Sequence, residues 1–178
     1  MSFFIYKVKN FKEHQKNIID LIYRIPLNPK IDKNGGEKIS HTDWNLTDEV
    51  RKEYRDYIHK HILKDFSANF IKSLKTQSLG INRLWFQVYR KNDFHGYHTH
   101  PDTNFANILY VKLPNKNVIT KFKIPNNEDV NLNVSEGDIV TFPAFYIHQS
   151  PINTNDEEKI VVSFNSNSFF NTKTDYHN

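Results

Sequence analysis

Downstream of Gly80 the hydrophobic period of this chain changes and does not change back. Leu84, Phe86 and Val88 alternate with Trp85, Gln87 and Tyr89, a period of two that an extended strand displays as two separate faces. Shorter runs of the same kind follow at 105–112, 118–124, 130–134, 138–142 and 159–166, divided by Pro, Asn and Gly turn signals. A half-chain made of many short strands has to close them into a sandwich, jelly roll or barrel, because open edges invite aggregation.

The first 80 residues follow a helical period instead. Asn10-Phe11-Lys12-Glu13 offers an N-cap with an acidic partner three residues on, and Phe11, Ile18, Leu21, Ile22 and Ile25 form a stripe that stops at Pro26. Thr47, followed by Asp48 and Glu49, is a second helix start, its acids placed against the positive end of the dipole. Val50, Tyr54, Ile58, Ile62, Phe66 and Phe70 then recur at helical spacing to about Lys75. Between the two helices, 27–41 carries Pro29, Gly35-Gly36 and polar residues, the composition of an irregular connection. The expected fold is mainly β (α+β). One domain spans 1–178, with helical support and a loop over 1–80 packed outside a β-barrel core over 81–170.

With no cysteine in the chain, disulfides, thiolate metal sites and a cysteine nucleophile are excluded, leaving imidazole and carboxylate as metal ligands. A formal charge of +4, with Lys and Arg spread among Asp and Glu, argues against nucleic acid as partner. No stretch reaches the ~18 apolar residues of a membrane span, and Met1–Lys7 is too short for a signal-peptide core, so a soluble, cytoplasmic protein is expected. A homodimer would form on any apolar stripe that the 48–75 helix leaves exposed.

Nine histidines are available, and three of them form a pattern. His98 and His100 in Tyr97-His98-Thr99-His100-Pro101 stand at i and i+2, so a strand points both to one face. Gly137-Asp138 is a tight turn from which Ile139–Phe142 runs into the core, and Pro143 stiffens the approach to His148. Imidazoles from two separate segments can thus converge on one ion inside a barrel, leaving coordination positions open for chemistry. His95 lies off this alternation and is expected at a rim or on the surface. His59, His61, Glu53 and Asp56 are expected as solvated positions on a helix. Eleven residues past His148, Lys159, Val161 and Ser163 share one strand face, where a cation could meet a carboxylate bound beside the metal.

The segment from Trp85 to Asn165 resembles the 2-oxoglutarate- and iron(II)-dependent oxygenase superfamily, in particular bacterial and phage members with a His-x-His-Pro motif. The resemblance is carried, in the family's order, by Trp85, Tyr89, His98-Thr99-His100-Pro101, Leu109-Tyr110-Val111, Gly137-Asp138, Phe142-Pro143, His148 and Lys159 through Ser163-Phe164-Asn165. It implies a double-stranded β-helix (a cupin-like jelly roll), and it places the protein in the cytoplasm of a bacterium or of a phage-infected host. It also implies iron(II) on the histidines and 2-oxoglutarate as cosubstrate, with Lys159 against the distal carboxylate. Tyr110, Tyr89 and Ser163 stand near that cosubstrate, and no catalytic residue beyond the metal ligands is needed. The activity implied is oxidation, usually hydroxylation, of a peptide side chain, an amino acid or a small metabolite by molecular oxygen.

The chain departs from the family's usual pattern at two places. Where relatives carry His-x-Asp/Glu, His98-Thr99-His100 stands, so the third ligand is His100, or Asp102 in a shifted register, or water. Pro101 ends the strand before Asp102, which favours His98, His100 and His148. Where relatives carry Arg, Lys159 gives a point charge in place of a bidentate fork. A cupin-type metal-dependent binding protein or isomerase is the alternative. The first cupin motif, however, expects a Glu where Asn104-Phe105 stands, and Lys159 has no task in it. A binding module without turnover is a third reading. The expected mouth loops, 27–41, 101–105 and 113–129, bear no readable substrate signature.

Overall fold

A computed structural model describes residues 3–123, 129–130 and 132–170. The strands are β1 (Phe4–Lys7), β2 (Lys30–Ile31), β3 (Glu37–Ile39), β4 (His41–Thr42), β5 (Thr76–Tyr89), β6 (Phe94–His98), β7 (Phe105–Lys112), β8 (Lys121–Lys123), β9 (Asp129–Val130), β10 (Asp138–Pro143), β11 (Ile147–Ser150) and β12 (Lys159–Phe170). They form two six-stranded sheets, ordered β1-β10-β7-β12-β5-β4 and β2-β3-β6-β11-β8-β9, and every pairing is antiparallel. Three helices, α1 (Phe11–Tyr23), α2 (Glu53–Ile58) and α3 (Lys64–Leu74), cover the outer face of the first sheet.

The period-two pattern explains why the first sheet is buried on both faces. Leu84, Phe86 and Val88 of β5 and Ile160, Val162 and Phe164 of β12 pack outward against Ile18, Ile22, Ile58 and Phe66 of the helices. Their alternates, Tyr89 and Val161, turn inward to meet Ile39, Phe122 and Phe142, and this second cluster joins the two sheets.

The helical stripe Tyr54, Ile58, Ile62, Phe66, Phe70 repeats every four residues and is buried throughout. On an α-helix of 3.6 residues per turn, such a repeat drifts by about 40° each time. One π-helical turn, His59–Leu63, lies between α2 and α3 and takes up an extra residue, which returns Phe66 and Phe70 to the face of Tyr54. The stripe therefore faces the sheet, not solvent. His59 and His61 are exposed, and Glu53 pairs with Arg24 and Arg51 at 3.2 and 3.0 Å.

Several local expectations are corrected. Asn10 stands at the α1 N-cap in left-handed backbone (φ 49°) and makes no side-chain cap; its carbonyl, not its amide group, accepts Glu13 N–H at 3.0 Å. Thr47 does not start a helix. Its carbonyl closes an isolated turn with Val50, and Lys52 Nζ binds the Leu46 and Thr47 carbonyls at 3.1 and 2.9 Å, so helical bonding begins only at Glu53. The 27–41 segment is a β2–β3 hairpin in place of an irregular loop, because Asp32 caps its turn through Asn34 and Gly36 N–H and Gly35 supplies φ 79°. Lys116–Val118 is a 3-10 turn, and β8 is correspondingly short. Positions 124 and 131 of the expected strands, and 124–128 of an expected mouth loop, lie outside the described residues. Among the described residues no helix is long and apolar enough to cross a membrane.

Phe66 touches Phe4, Tyr6, Phe70 and Phe164 and is fully buried, so it clamps helix to sheet. Phe66→Ala is expected to cost about 3–5 kcal/mol in urea unfolding. A loss below about 1 kcal/mol would show that the helices contribute little to holding the sheet.

Candidate metal centre and cosubstrate pocket

The site begins with a register. β11 pairs with β6 so that the Cα of His148 faces that of His98, and two positions further along β11 Ser150 faces His95. Two residues of β6, Gly96 and Tyr97, thus stand against one of β11, Gln149, which is a β-bulge. The bulge turns His95 to the same side as His98, and the two rings stack with centroids 3.8 Å apart and planes at 13°. His95 is therefore a wall of the cavity and not a surface residue, contrary to the alternation argument. The legible signal was Gly96: a Cβ there would lie 2.8 Å from the carbonyl oxygen of Gly36, so only glycine lets β3 approach at this point.

His98 closes β6, His148 lies in β11, and His100 follows β6 with its N–H held at 2.9 Å by the Ala144 carbonyl. One ring nitrogen from each of the three lies within 4.8 Å of the others. Their Nδ1 atoms are committed elsewhere, His98 to the Gly96 carbonyl at 2.8 Å, His148 to the Tyr146 carbonyl at 2.9 Å and His100 to Asn165 Oδ1 at 2.7 Å. These oxygens can only accept, so each Nδ1 carries the proton and each Nε2 keeps a lone pair for a ligand. Burial holds all three rings neutral. It lowers His98, brings His100 to about 4 and, with His98 beside it, sets His148 well below the usual value. Burial and the neighbouring His98 take His95 to about 3.

Neutral imidazoles are the ligating form, and three of them suit a borderline divalent ion such as iron(II) or zinc(II). Three nitrogens each about 2.1 Å from one ion stand roughly 3.0–3.6 Å apart, so the set, whose members lie within 4.8 Å, has to draw together by at most about 1–2 Å to ligate it. Asp102 is exposed on a left-handed turn (φ 59°) at the lip and stands outside this cluster.

The histidines open onto a cavity of about 440 Å³ between the sheets. At its other end Lys159 is 1% exposed and donates to Ser150 Oγ at 2.8 Å, with its Nζ 5.2 Å from the Tyr89 ring centre. Among the described residues no carboxylate pairs with it, and burial takes its pKa down to about 7. Ser150 and His148 share one face of β11, which links this lysine to the histidine cluster.

Tyr89 and Ser163 line the same cavity, Ser163 donating to Gln87 Oε1 at 3.2 Å. Tyr110 is not in the lining. It is buried behind the wall near Thr120, and burial raises its pKa to about 12. Lys30, Pro101 and Thr120 bring all three expected loops to the cavity, and sequence reasoning missed Trp44, Arg83 and Gln87.

At the level of sequence, no family model and no curated protein matches the chain. Solved structures do match. An oxidoreductase of the 2OG-Fe(II) oxygenase family from Burkholderia pseudomallei is 12% identical with a TM-score of 0.69, over 95% of this chain and 88% of that one. A Pseudomonas putida prolyl-4-hydroxylase is 12% identical with a TM-score of 0.58, over 92% and 91% of the two chains. A Trichoplax adhaerens prolyl hydroxylase bound to a hypoxia-inducible-factor peptide is 12% identical with a TM-score of 0.60, over 94% and 83%. Two antiparallel sheets with helices on one outer face are thus a fold that this chain shares with solved 2OG-Fe(II) oxygenases.

Proposed function

We propose that this chain is a single-domain oxygenase on a double-stranded β-helix, dependent on iron(II) and 2-oxoglutarate, that hydroxylates a peptide side chain, an amino acid or a small metabolite. One observation carries the reading: three imidazoles with free Nε2 atoms share a cavity with a buried lysine that lacks a carboxylate. The cupin-type alternative leaves that lysine without a task.

In this reading His98, His100 and His148 hold iron(II), which when bound supplies the oxygen-activating and electron-transferring chemistry. The balance is that substrate C–H, O2 and 2-oxoglutarate give C–OH, succinate and CO2. Lys159 receives the distal carboxylate of 2-oxoglutarate. Tyr89 and Ser163 line the same cavity. Ile39, Ile108, Phe142 and Val161 supply apolar patches of the wall, and the burial of Lys159 strengthens the ion pair it would form.

Anaerobic calorimetry with iron(II) and 2-oxoglutarate, followed by a succinate-release screen over peptides and metabolites, tests the proposal. His148→Ala should lose iron binding and turnover while keeping the circular dichroism of the parent. Succinate formation retained in that variant would rule out the centre, and loss of iron in Asp102→Ala but not His100→Ala would move the third ligand to the carboxylate.

Lys159→Ala should leave iron binding intact and raise the 2-oxoglutarate concentration for half-maximal turnover by at least tenfold. An unchanged dependence removes Lys159 from the cosubstrate site.

The same lysine makes stability depend on pH. Between its folded pKa of about 7 and its ordinary value of 10.5 the unfolded chain binds the proton and the fold does not, so stability rises with pH across that window. Urea unfolding of the metal-free protein should therefore find Lys159→Met more stable than the parent by a few kcal/mol at pH 7. The gap should close toward pH 10, and a gap independent of pH would contradict the buried, unpaired cation.

A further inference from the structure

We propose that the mouth of the cavity holds a second anion subsite, Arg83 clamped on Trp44, and that the substrate carries a carboxylate recognised there. The inference rests on the reading that 2-oxoglutarate occupies the Lys159 end. β5 and β12 pair Tyr89 with Lys159, Gln87 with Val161, Trp85 with Ser163 and Arg83 with Asn165. At about 3.4 Å per residue this ladder runs roughly 20 Å from Lys159 to Asn165. It has a cation at each end, and Asn165 holds His100.

Arg83 is exposed but not loose. Its Nη2 donates to the Trp44 carbonyl at 2.9 Å, and its guanidinium carbon lies 3.5 Å from the centre of the Trp44 ring. Trp44 in turn packs edge-on against Trp85 at 4.6 Å, and its N–H donates at 3.2 Å to Thr42 Oγ1, which is itself bonded to the Phe86 carbonyl. The neighbouring Asp43 is buried and takes Phe86 N–H, Tyr54 and Arg55, so the platform cannot drift.

Stacking covers one face of the guanidinium and fixes its plane, while the one bond to Trp44 leaves the rest of its five donors unused. Among the described residues no carboxylate pairs with Arg83, whereas Lys30, the other cation at this cavity apart from Lys159, is taken by Glu37 at 2.6 Å. Asp102 at the lip is the acid nearest the opening in sequence, and no ion pair joins it to Arg83. Lys30 Nζ lies 5.4 Å from the centre of the same Trp44 ring, but Glu37 already pairs it, so the planar fork of Arg83 fits a monoanionic carboxylate better than a phosphate dianion. Trp85 stacks on His100 at 5.8 Å and stands between Arg83 and the histidines. A substrate lying across that one indole has its carboxylate on Arg83 and a carbon a few bonds away at the metal centre.

The chain has two tryptophans, and both belong to this platform, so intrinsic fluorescence reads the subsite directly. The probes are N-acetylglycine, N-acetylvaline and N-acetylproline, each as free acid and as primary amide, with glycerol phosphate as a phosphate arm. They are titrated into the full chain loaded with nickel(II) and saturated with 2-oxoglutarate. The acids should shift emission saturably and bind at least tenfold more tightly than their amides. Arg83→Gln should abolish that preference, and Arg83→Lys, which keeps charge but not the fork, should restore part of it. Equal binding of acids and amides, no saturable response to any acid, or a preference that survives Arg83→Gln overturns the subsite, and tighter binding of glycerol phosphate overturns the carboxylate. Calorimetry of nickel(II) and 2-oxoglutarate is read separately. If these fail to bind while the Arg83-dependent preference persists, the oxygenase reading falls and the subsite stands.

Discussion

The pairing of β6 with β11 sets the geometry on which the rest of the site depends. In antiparallel strands, directly opposite residues place their side chains on one face, so the His98–His148 register brings two rings from segments 50 residues apart into contact at 4.2 Å. A slip of one residue would send both rings to the outer surface, where Tyr97 and Ile147 now sit exposed. Backing from Phe122 and Phe142 at 5.9 and 4.7 Å makes that slip expensive, since it would also expose the aromatic wall behind His148. The histidine cluster is thus stabilised by the same packing that joins the two sheets.

The buried lysine works in the opposite sense. A charged ammonium without a carboxylate weakens the ligand-free fold at neutral pH, and the apolar surroundings that cause this also magnify any later attraction to an anion. Destabilisation of the empty cavity and affinity for a guest are two consequences of one desolvation. Arg83 is arranged differently: partly hydrated and stacked on an indole, it carries little such penalty and offers direction more than strength. Deep affinity at one end and orientation at the other suit a cosubstrate common to every turnover and a substrate that has to be placed.

Much of this was legible in the residues. The switch of period near Gly80 located the strands from β5 onward, whereas β1 to β4 lie in the part expected as helical support and loop, and the alternation in β12 put Lys159, Val161 and Ser163 on one face. His98, His100 and His148 were found because i and i+2 spacing and a turn-strand-histidine segment are local patterns. His95 was misplaced because a bulge breaks the period of two, and the one local clue, Gly96, is meaningful only once Gly36 is known to lie against it. The helix expected from Thr47 failed for a similar reason: Lys52 satisfies the turn's carbonyls from outside the capping pattern. Trp44 and Arg83 are 39 residues apart and meet through a carbonyl and a ring face, a contact with no periodicity to announce it.

β12 carries the most consequential constraint after the histidine register. Lys159, Ser163 and Asn165 all occupy its inward positions, so one strand presents the buried cation, a polar wall and the group that holds His100. The intervening Ile160, Val162 and Phe164 lock it into the helix-covered core. The strand is flanked on both sides, by β5 and β7, so neither edge is free to slide. Movement that changes the distance between the lysine and the histidines must therefore come from the second sheet, where β8 and β11 are short and His100 lies beyond the end of β6. The architecture divides into a fixed wall that carries Lys159 and a shorter-stranded wall that carries the histidines and the rim, so on the proposed reading adjustment of the site on loading belongs to the second wall.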